Sequence, residues 1–316
     1  MNRSSNLYKL SDDDTTDSEI NALRAEVSNL KERIRSQQEM LESTTKFLMG
    51  TQERLEYKKD EIERKNTELF DSISYASYVQ SALVPSQDKL NPYFKEAFIG
   101  LAQKDVIGGD LPYVYSFGDE IIVAAVDCTG HGVSGAMLTA LAHSFLNEIF
   151  SRNTFTIIGL DRAISILNSF FSGVFNVEGN NQLFGLDIAI LRLNVRTREA
   201  EFAGAGRPLL MLRGGNLTRM PKTGLGIGLN PSQKFTSEKF KFQENDKFYL
   251  YSDGMTDQLG DRIPKKFSDR RFRELIEETS HLRLKKQKEV IFDFLKSWQG
   301  QNEQTDDQIL IGLKTK

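Results

Sequence analysis

The stretch Ile121-Ile-Val-Ala-Ala-Val-Asp127-Cys-Thr-Gly-His-Gly132 carries the clearest signal for the fold of this chain. Its apolar run, 121–126, predicts a buried β-strand. The strand ends at a carboxylate, Asp127, and the glycines beside His131 let the backbone approach a ligand or turn tightly into a helix. Helical spacing follows near 133–150. The stretch therefore predicts a strand, a carboxylate and a glycine turn in direct succession.

Three further aspartates lie at comparable strand ends or glycine turns: Asp110 in Ile-Gly-Gly-Asp, Asp253 in Tyr-Ser-Asp-Gly, and Asp306 in Thr-Asp-Asp. Taken singly, each is also a common turn residue. A sheet that gathered all four would need a cation to keep them ionised. Oxygen ligands favour Mg²⁺ or Mn²⁺ over zinc. Two such ions about 4 Å apart would activate a water for hydrolysis of a phosphate monoester.

Short apolar runs flanked by Gly, Asn or Asp predict strands over most of the chain after Pro85. Hairpin-like spacing around 194–201 and 213–217 favours antiparallel sheets covered by helices, an α+β fold, over an alternating parallel one. The predicted strands are 97–102, 112–116, 120–126, 184–194, 199–203, 208–213, 247–252 and 308–313. The predicted helices are 133–150, 160–175, 269–279 and 284–299.

The first quarter of the chain repeats apolar residues every seven positions, which predicts a coiled coil over 20–84. The second seam position is apolar at Leu23 and Leu30, polar through the middle, and apolar again at Val79. Gly50 is a candidate break, since glycine costs about 1 kcal/mol inside a helix. The repeat comprises Ile20, Val27, Ile34, Leu41, Leu48, Leu55, Ile62, Leu69, Ala76 and Leu83.

The helix is expected to end before Pro85, whose ring cannot continue it. This gives three predicted segments: an acidic lead, 1–19, the coiled coil, 20–84, and a catalytic domain, 86–316. The lead is interpreted as disordered, with a charged helix start as the alternative. The coiled coil is either a passive dimerisation rod or a helix that transmits a signal, and the sequence predicts a homodimer.

Composition restricts the partners and the compartment. The 41 basic and 44 acidic residues give a formal charge of -3, which offers no footprint for nucleic acid. One cysteine, Cys128, cannot form an internal disulfide, and with three histidines it gives no zinc-ligand spacing. No signal peptide or membrane-spanning run is found in the sequence. A cytoplasmic protein without membrane insertion is expected.

The order and spacing of these motifs resemble the SpoIIE-like branch of the protein phosphatase 2C superfamily, bacterial serine phosphatases, across nearly all of 70–313. The resemblance implies an αββα sandwich preceded by the long helix, and two Mn²⁺ or Mg²⁺ ions at one end of the two sheets. It is carried by the segments 71–85, Gly108-Gly-Asp110, Asp127-Cys-Thr-Gly-His-Gly132, Glu201-Phe-Ala-Gly-Ala-Gly-Arg-Pro-Leu209, Gly224-Leu-Gly-Ile-Gly228, Tyr251-Ser-Asp-Gly-Met-Thr-Asp257 and Thr305-Asp-Asp307.

The resemblance also implies residue roles. Asp127 would bridge both metals, the backbone carbonyl of Cys128 would bind the second, and Asp253 and Asp306 would complete the first. Asp110 would bind metal or orient its waters. Gly130 and Gly132 would shape the phosphate mouth, and His131 is a candidate general acid or a residue that fixes the turn. No arginine matches the phosphate-binding arginine of the eukaryotic enzymes.

In related enzymes the helix before the phosphatase domain packs on it and sets whether the metal site is competent. The residues expected to do this here are Ile73, Ala76, Val79 and Leu83, with Tyr75, Tyr78 and Ala82 as further apolar surface. The implied partners are an upstream regulatory protein on the coiled coil and a phosphoserine substrate, a STAS-type anti-sigma-factor antagonist.

Three rival interpretations remain. A catalytically weak or inactive scaffold of the same fold would bind phosphoprotein without hydrolysing it. A metallophosphoesterase acting on nucleotides could use the same two metals, but no basic or aromatic base-binding run accompanies the site. A purely structural coiled-coil protein would leave the four aspartates unexplained.

Overall fold

The computed structural model describes residues 12–151, 158–175 and 184–316, and the side chains of the first helix from residue 17 onward. That helix, α1, is Asp12–Leu83 and runs through Gly50 without a break. The acidic cluster that begins at Asp12 is therefore helical, which agrees with the alternative of a charged helix start rather than with a disordered lead over 12–19. Residues 1–11 lie outside the described residues.

The chain divides into two compact units, 1–70 and 71–316. The second unit starts inside α1, earlier than the boundary predicted at Pro85, because the last helical turns are packed. Gln80 is buried there, and Leu83 contacts a core cluster. In the first unit the seam residues of the heptad repeat are exposed in the single chain; Leu41 and Leu55 are each 66% exposed.

Ten strands in the described part of unit 71–316 form two antiparallel sheets. The first sheet has the order β1-β10-β9-β6-β7 and the second β2-β3-β4-β5-β8. The strands are β1 Phe94–Ala102, β2 Asp110–Phe117, β3 Glu120–Cys128, β4 Leu186–Asn194, β5 Glu199–Ala205, β6 Leu209–Arg213, β7 Asn216–Met220, β8 Glu238–Lys241, β9 Lys247–Tyr251 and β10 Gln308–Thr315.

Helices cover the outer face of each sheet, and this confirms the predicted αββα sandwich. The helices are α2 Gly132–Ser151, α3 Leu160–Phe175, α4 Gly254–Asp257, α5 Asp269–Glu278 and α6 Leu284–Gln299. α2 and α3 pack on the second sheet around Leu138 and Phe171. α5 and α6 pack on the first around Phe272 and Ile291. A third cluster, which includes Val123 and Leu250, fills the space between the sheets.

All eight predicted strands and four predicted helices are present, within a few residues of their predicted ends. The elements that the sequence did not predict are short. β7 and β8 have mostly exposed residues, and α4 is a single turn. Within the described residues, no helix is both long enough and apolar enough to span a bilayer.

Candidate metal centre

Three aspartates lie side by side at one end of the second sheet, on its adjacent strands β2, β3 and β4. In the strand register Asp110 of β2 is opposite Asp127 of β3, and Asp127 is opposite Asp187 of β4. Directly opposed residues in antiparallel strands project to the same face, so the three carboxylates form a row. Like charges in such a row destabilise the sheet unless a cation balances them. The sequence predicted Asp110 and Asp127 for this site but not Asp187.

The first sheet adds three more carboxylates at the same end of the sandwich. Asp253 follows β9 at the start of α4, and Asp306 and Asp307 precede β10. β9 and β10 are antiparallel neighbours, so the end of one lies beside the start of the other. The charges of Asp253 and Asp306 both raise the pKa of Asp127. The structure therefore brings together the four predicted aspartates, Asp110, Asp127, Asp253 and Asp306.

Burial and mutual repulsion disfavour ionisation of these carboxylates. Burial raises the pKa of Asp110 well above its usual range, and the charge of Asp127 adds to this. Burial likewise raises the pKa of Asp127, although Arg207 partly offsets it. The pKa values of Asp187 and Asp306 are raised in the same direction, mainly by burial. Such a cluster is stabilised in its ionised form by a bound cation.

Arg207 is the protein's own cation in this cluster. It lies in the turn between β5 and β6, and its Nη2 is 3.1 Å from Asp127 Oδ2 and 3.0 Å from Asp187 Oδ2. The same nitrogen donates a hydrogen bond to Asp253. Burial opposes its charge, but the three carboxylates outweigh this and raise its pKa. The sequence offered little signal for this role beyond the motif Gly-Arg-Pro.

The donor set fits hard divalent cations, since every charged ligand candidate is a carboxylate. The buried Oδ2 of Asp127 accepts no hydrogen bond from the described residues and makes an ionic contact with Arg207, so it becomes available to a metal ion when that contact is broken. Among those same residues, no three His, Cys, Asp or Glu side chains are already arranged so that they could hold a metal ion. Three of the carboxylates instead surround Arg207.

The side chain of Cys128 lies in the core, and its backbone carbonyl lies against Gly109. The side chain is buried in the core cluster under α2, and burial raises the pKa of the thiol. A Cβ on Gly109 would lie 2.7 Å from the Cys128 carbonyl oxygen and 2.5 Å from that of Gly130. Glycine at position 109 therefore leaves room for both carbonyls at the edge of the site.

Gly130 and Gly132, the predicted phosphate mouth, have positive φ angles of 94° and 62°, which other residues rarely adopt. Between them, His131 is exposed, and its Nδ1 is 3.0 Å from Asp105 Oδ2. The sequence did not identify Asp105. His143 instead packs inside α2 with its ring edge on Tyr113, and burial lowers its pKa.

The two aspartates of the Thr-Asp-Asp motif differ in their surroundings. Both carboxylate oxygens of Asp307 accept backbone hydrogen bonds, from Lys104 N at 2.7 Å and from Gly109 N at 2.6 Å. The Asp306 carboxylate accepts one, from Asp307 N at 2.8 Å. Asp307 is thus committed to holding the Gly108-Gly109 loop, whereas Asp306 retains an oxygen for a ligand. Ser252 similarly donates to Asp110 Oδ2 at 2.6 Å.

The end of α1 is tied to this loop by Gln80, which is 5% exposed. Its Nε2 donates to the Gly108 carbonyl at 2.7 Å and to Thr139 of α2 at 3.1 Å. Its Oε1 accepts from Gly108 N at 3.2 Å. Gln80 lies in the segment 71–85 that carries the family resemblance. The prediction for this segment rested only on its apolar residues and so gave no role to Gln80.

The four predicted regulatory residues divide into two groups. Ile73, Ala76 and Leu83 are partly buried on the side of α1 that carries Gln80. Val79 is 54% exposed in the single chain, and the neighbouring Tyr75 and Tyr78 are 73% and 74% exposed. The prediction that Tyr75, Tyr78 and Ala82 contact the catalytic domain is therefore wrong for the single chain, since all three face solvent.

Several of the aspartates are partly exposed at one end of the sandwich: the side chains of Asp127, Asp187 and Asp253 are 18%, 27% and 33% exposed. A cavity of about 510 Å³ lies at the opposite end of the second sheet and is lined by polar residues that include Glu120, Arg192 and Glu201. The carboxylates lie outside that cavity.

The family model for stage II sporulation protein E, SpoIIE, matches residues 118–316. No curated protein matches the chain. Among solved structures, the SiaA-PP2C domain of Pseudomonas aeruginosa superposes with a TM-score of 0.72 at 24% identity, covering 79% of this chain and 98% of that one.

Two further solved structures share the fold at lower identity. The RsbU and RsbW domains of Rv1364c from Mycobacterium tuberculosis give a TM-score of 0.56 at 18% identity, covering 71% of this chain and 61% of theirs. The phosphatase domain of SpoIIE from Bacillus subtilis, with a fragment of its regulatory domain, gives 0.54 at 13%, covering 70% and 61%. The family match spans more than half of the chain. The chain therefore belongs to the SpoIIE family of protein serine/threonine phosphatases, enzymes of the protein phosphatase 2C type that use Mn²⁺ or Mg²⁺.

Proposed function

We propose that this protein hydrolyses phosphoserine on a signalling protein by two-metal activation of water, under the control of its amino-terminal coiled coil. The observation that carries the proposal is the row Asp110, Asp127 and Asp187, which joins Asp253 and Asp306 from the other sheet at one end of the sandwich. A partly exposed cluster with this density of carboxylates suits a substrate presented by a folded protein.

The metal ligands in this proposal are Asp127, the Cys128 carbonyl, Asp253, Asp306 and Asp110. When bound, the two ions supply a water of lowered pKa and neutralise charge on the phosphoryl oxygens. The chain's own residues orient these ligands. Ser252 fixes Asp110 through its hydrogen bond, and Asp307 anchors the loop that carries Gly108 and Gly109.

His131 is proposed as the proton donor to the departing serine oxygen. Asp105 engages Nδ1 of the ring, so Nε2 remains available to carry the proton. The ring is exposed beside the positive-φ glycines, where a substrate side chain would enter. Gly130 and Gly132 are proposed to shape this entrance.

Regulation is proposed to act through the last turns of α1, where Ile73, Ala76 and Leu83 are partly buried beside Gln80. A change in helix register would move Gln80 relative to Gly108, and so alter the loop that precedes Asp110. Val79 and the exposed tyrosines would face a twin helix in a homodimer. An upstream protein bound to the coiled coil would then shift a two-state equilibrium.

The proposed substrate is a STAS-type anti-sigma-factor antagonist, and the proposed location is the cytoplasm. Support for a partner-switching role comes from structures of the same fold: one carries an RsbU domain joined to an RsbW domain, and another belongs to the bacterial stressosome. The near-neutral charge of the chain also favours a protein partner over nucleic acid.

The test is hydrolysis of an aryl phosphate and a phosphoserine peptide by the wild type and Asp127→Asn, with Mn²⁺, Mg²⁺ or a chelator. Activity that requires metal and is lost in the variant supports the proposal. No activity with either metal, in the full chain or in the compact unit 71–316, would favour the phosphoprotein-binding scaffold.

A further inference from the structure

We propose that Arg207, held by Asp187, is a built-in counter-cation that competes with divalent metal ions and so sets the metal affinity of the site. The inference rests on the proposed function, because it concerns the same metal centre. It assigns roles to two residues that the sequence motifs did not identify as part of the site.

The first argument is the position of the guanidinium. Nη2 of Arg207 contacts Asp127 and Asp187 within 3.1 Å and is hydrogen-bonded to Asp253. The side chain is only 15% exposed, so solvent screens this charge weakly. Asp127 and Asp253 are two of the proposed metal ligands. An entering ion therefore meets a positive charge already bound to the carboxylates that it needs.

The second argument is that the carboxylate of Asp187 packs closely against the backbone of two glycines. A Cβ on Gly206 would lie 2.0 Å from its carboxylate, and one on Gly226 would lie 2.4 Å from it. Gly206 has a φ of 76° and directly precedes Arg207. The turn thus places the guanidinium beside a carboxylate that packs against the backbone of these two glycines. Asp187 can retain Arg207 when metals occupy Asp127 and Asp253.

The third argument is the charge balance. Six aspartates line the site, namely Asp110, Asp127, Asp187, Asp253, Asp306 and Asp307, and Arg207 is the cation that contacts three of them. A unit positive charge a few ångströms from a divalent ion repels it strongly where the dielectric response is low. Neutralising Arg207 should therefore tighten metal binding by about tenfold or more.

The test is calorimetric titration of the full chain with Mn²⁺ for the wild type, Arg207→Gln and Arg207→Lys. We expect the Gln variant to bind Mn²⁺ about tenfold or more tightly, and the Lys variant, which keeps the charge, to stay near the wild type. Circular dichroism establishes that each variant is folded. Arg213→Gln is the matched control. Arg213 donates two hydrogen bonds to the Asp246 carboxylate at the opposite end of β6, so its replacement should leave metal affinity unchanged.

Asp187 is tested in a double-mutant cycle. Asp187→Asn should weaken Mn²⁺ binding, because Arg207 then pairs only with Asp127 and Asp253, the proposed metal ligands. Most of this loss in affinity should disappear in the Arg207→Gln background. An equal loss in both backgrounds would mean that Asp187 acts on the metal without Arg207, which contradicts the proposed retention.

The outcomes separate this inference from the proposed function. Wild-type Mn²⁺ binding that is unchanged or weakened by Arg207→Gln in a folded variant overturns the inference alone, whatever the hydrolysis assays show. Absence of Mn²⁺ binding by both the wild type and Arg207→Gln overturns the inference and the two-metal site together.

Discussion

Gln80 and Gly108 exchange a pair of hydrogen bonds: the side-chain amide donates to the Gly108 carbonyl at 2.7 Å, and Gly108 N–H donates back at 3.2 Å. The pair joins the last turn before Pro85 to the loop that leads into Asp110. Gly109, the next residue in that loop, donates to Asp307. The end of the long helix and the carboxylate cluster are therefore connected through one short loop.

Replacement of Gln80 by Leu should lower phosphatase activity even at temperatures at which the variant is still folded. Leucine keeps the volume in this buried position but leaves the Gly108 backbone groups unpaired, at a cost of about 1–3 kcal/mol for each group. Hydrolysis rates and thermal unfolding, measured on the same samples, separate the two effects. Gln87→Leu is the control, since exposed Gln87 also donates to a backbone carbonyl, that of Ala97. Equal activity in the Gln80 variant and the wild type would exclude the coupling.

The two adjacent aspartates at 306 and 307 should respond differently to replacement by asparagine. Asp306→Asn should weaken metal binding with little change in unfolding. Asp307→Asn should destabilise the fold by about 1–3 kcal/mol, because its two oxygens hold the amides of Lys104 and Gly109. Metal titration and chemical denaturation of both variants measure this. If Asp307→Asn weakened metal binding and Asp306→Asn destabilised the fold, Asp307 would be the metal ligand and Asp306 the structural residue.

Metal-free protein should be stabilised by Asp110→Asn at neutral pH. Burial raises the pKa of Asp110 in the folded state, so its contribution to stability is present at low pH and is lost as the pH rises through that raised pKa. The gain should disappear below the ordinary carboxyl pKa of about 3.9. Thermal unfolding in chelator across pH 3.5–8 measures it. A stabilisation that is the same at both ends of the range would contradict the assignment.

Insertion of four residues after Gly50 should change the phase of the heptad seam and weaken a coiled-coil dimer, whereas insertion of seven restores the phase. We expect specific activity to depend on chain concentration in the wild type and the seven-residue variant, but not in the four-residue variant. Sedimentation and hydrolysis measured over the same concentrations provide the check. Regulation that persists in a four-residue variant that still dimerises would exclude control through the helix register.

The sequence predicted the elements whose patterns are long and regular. The heptad repeat predicted α1, and the apolar run before Asp127 predicted β3 and the strand-end carboxylate. The sequence did not predict β7 and β8, because these strands are short and most of their residues are exposed to solvent. The candidate break at Gly50 did not occur, since one exposed glycine in a long helix costs too little to end it.

The residues missing from the predicted site depend on strand register and turn geometry. Asp187 lies in an apolar strand with no motif of its own, and only its pairing with Asp127 places it in the cluster. Arg207 reaches the site because the turn after Gly206 returns the chain from one sheet to the other. Gln80 is a polar residue in a predicted helix, and only the packed structure shows its contacts with Gly108 and Thr139.

The most direct measurement is an anomalous difference map from crystals of the full chain soaked with Mn²⁺. The account predicts two peaks roughly 4 Å apart, both within coordination distance of the Asp127 carboxylate. The first should also be bound by Asp253 and Asp306, and the second by the Cys128 carbonyl. Saturating Mn²⁺ with no peak at Asp127, in protein that still hydrolyses phosphoserine, would contradict the assignment of this cluster as the catalytic centre.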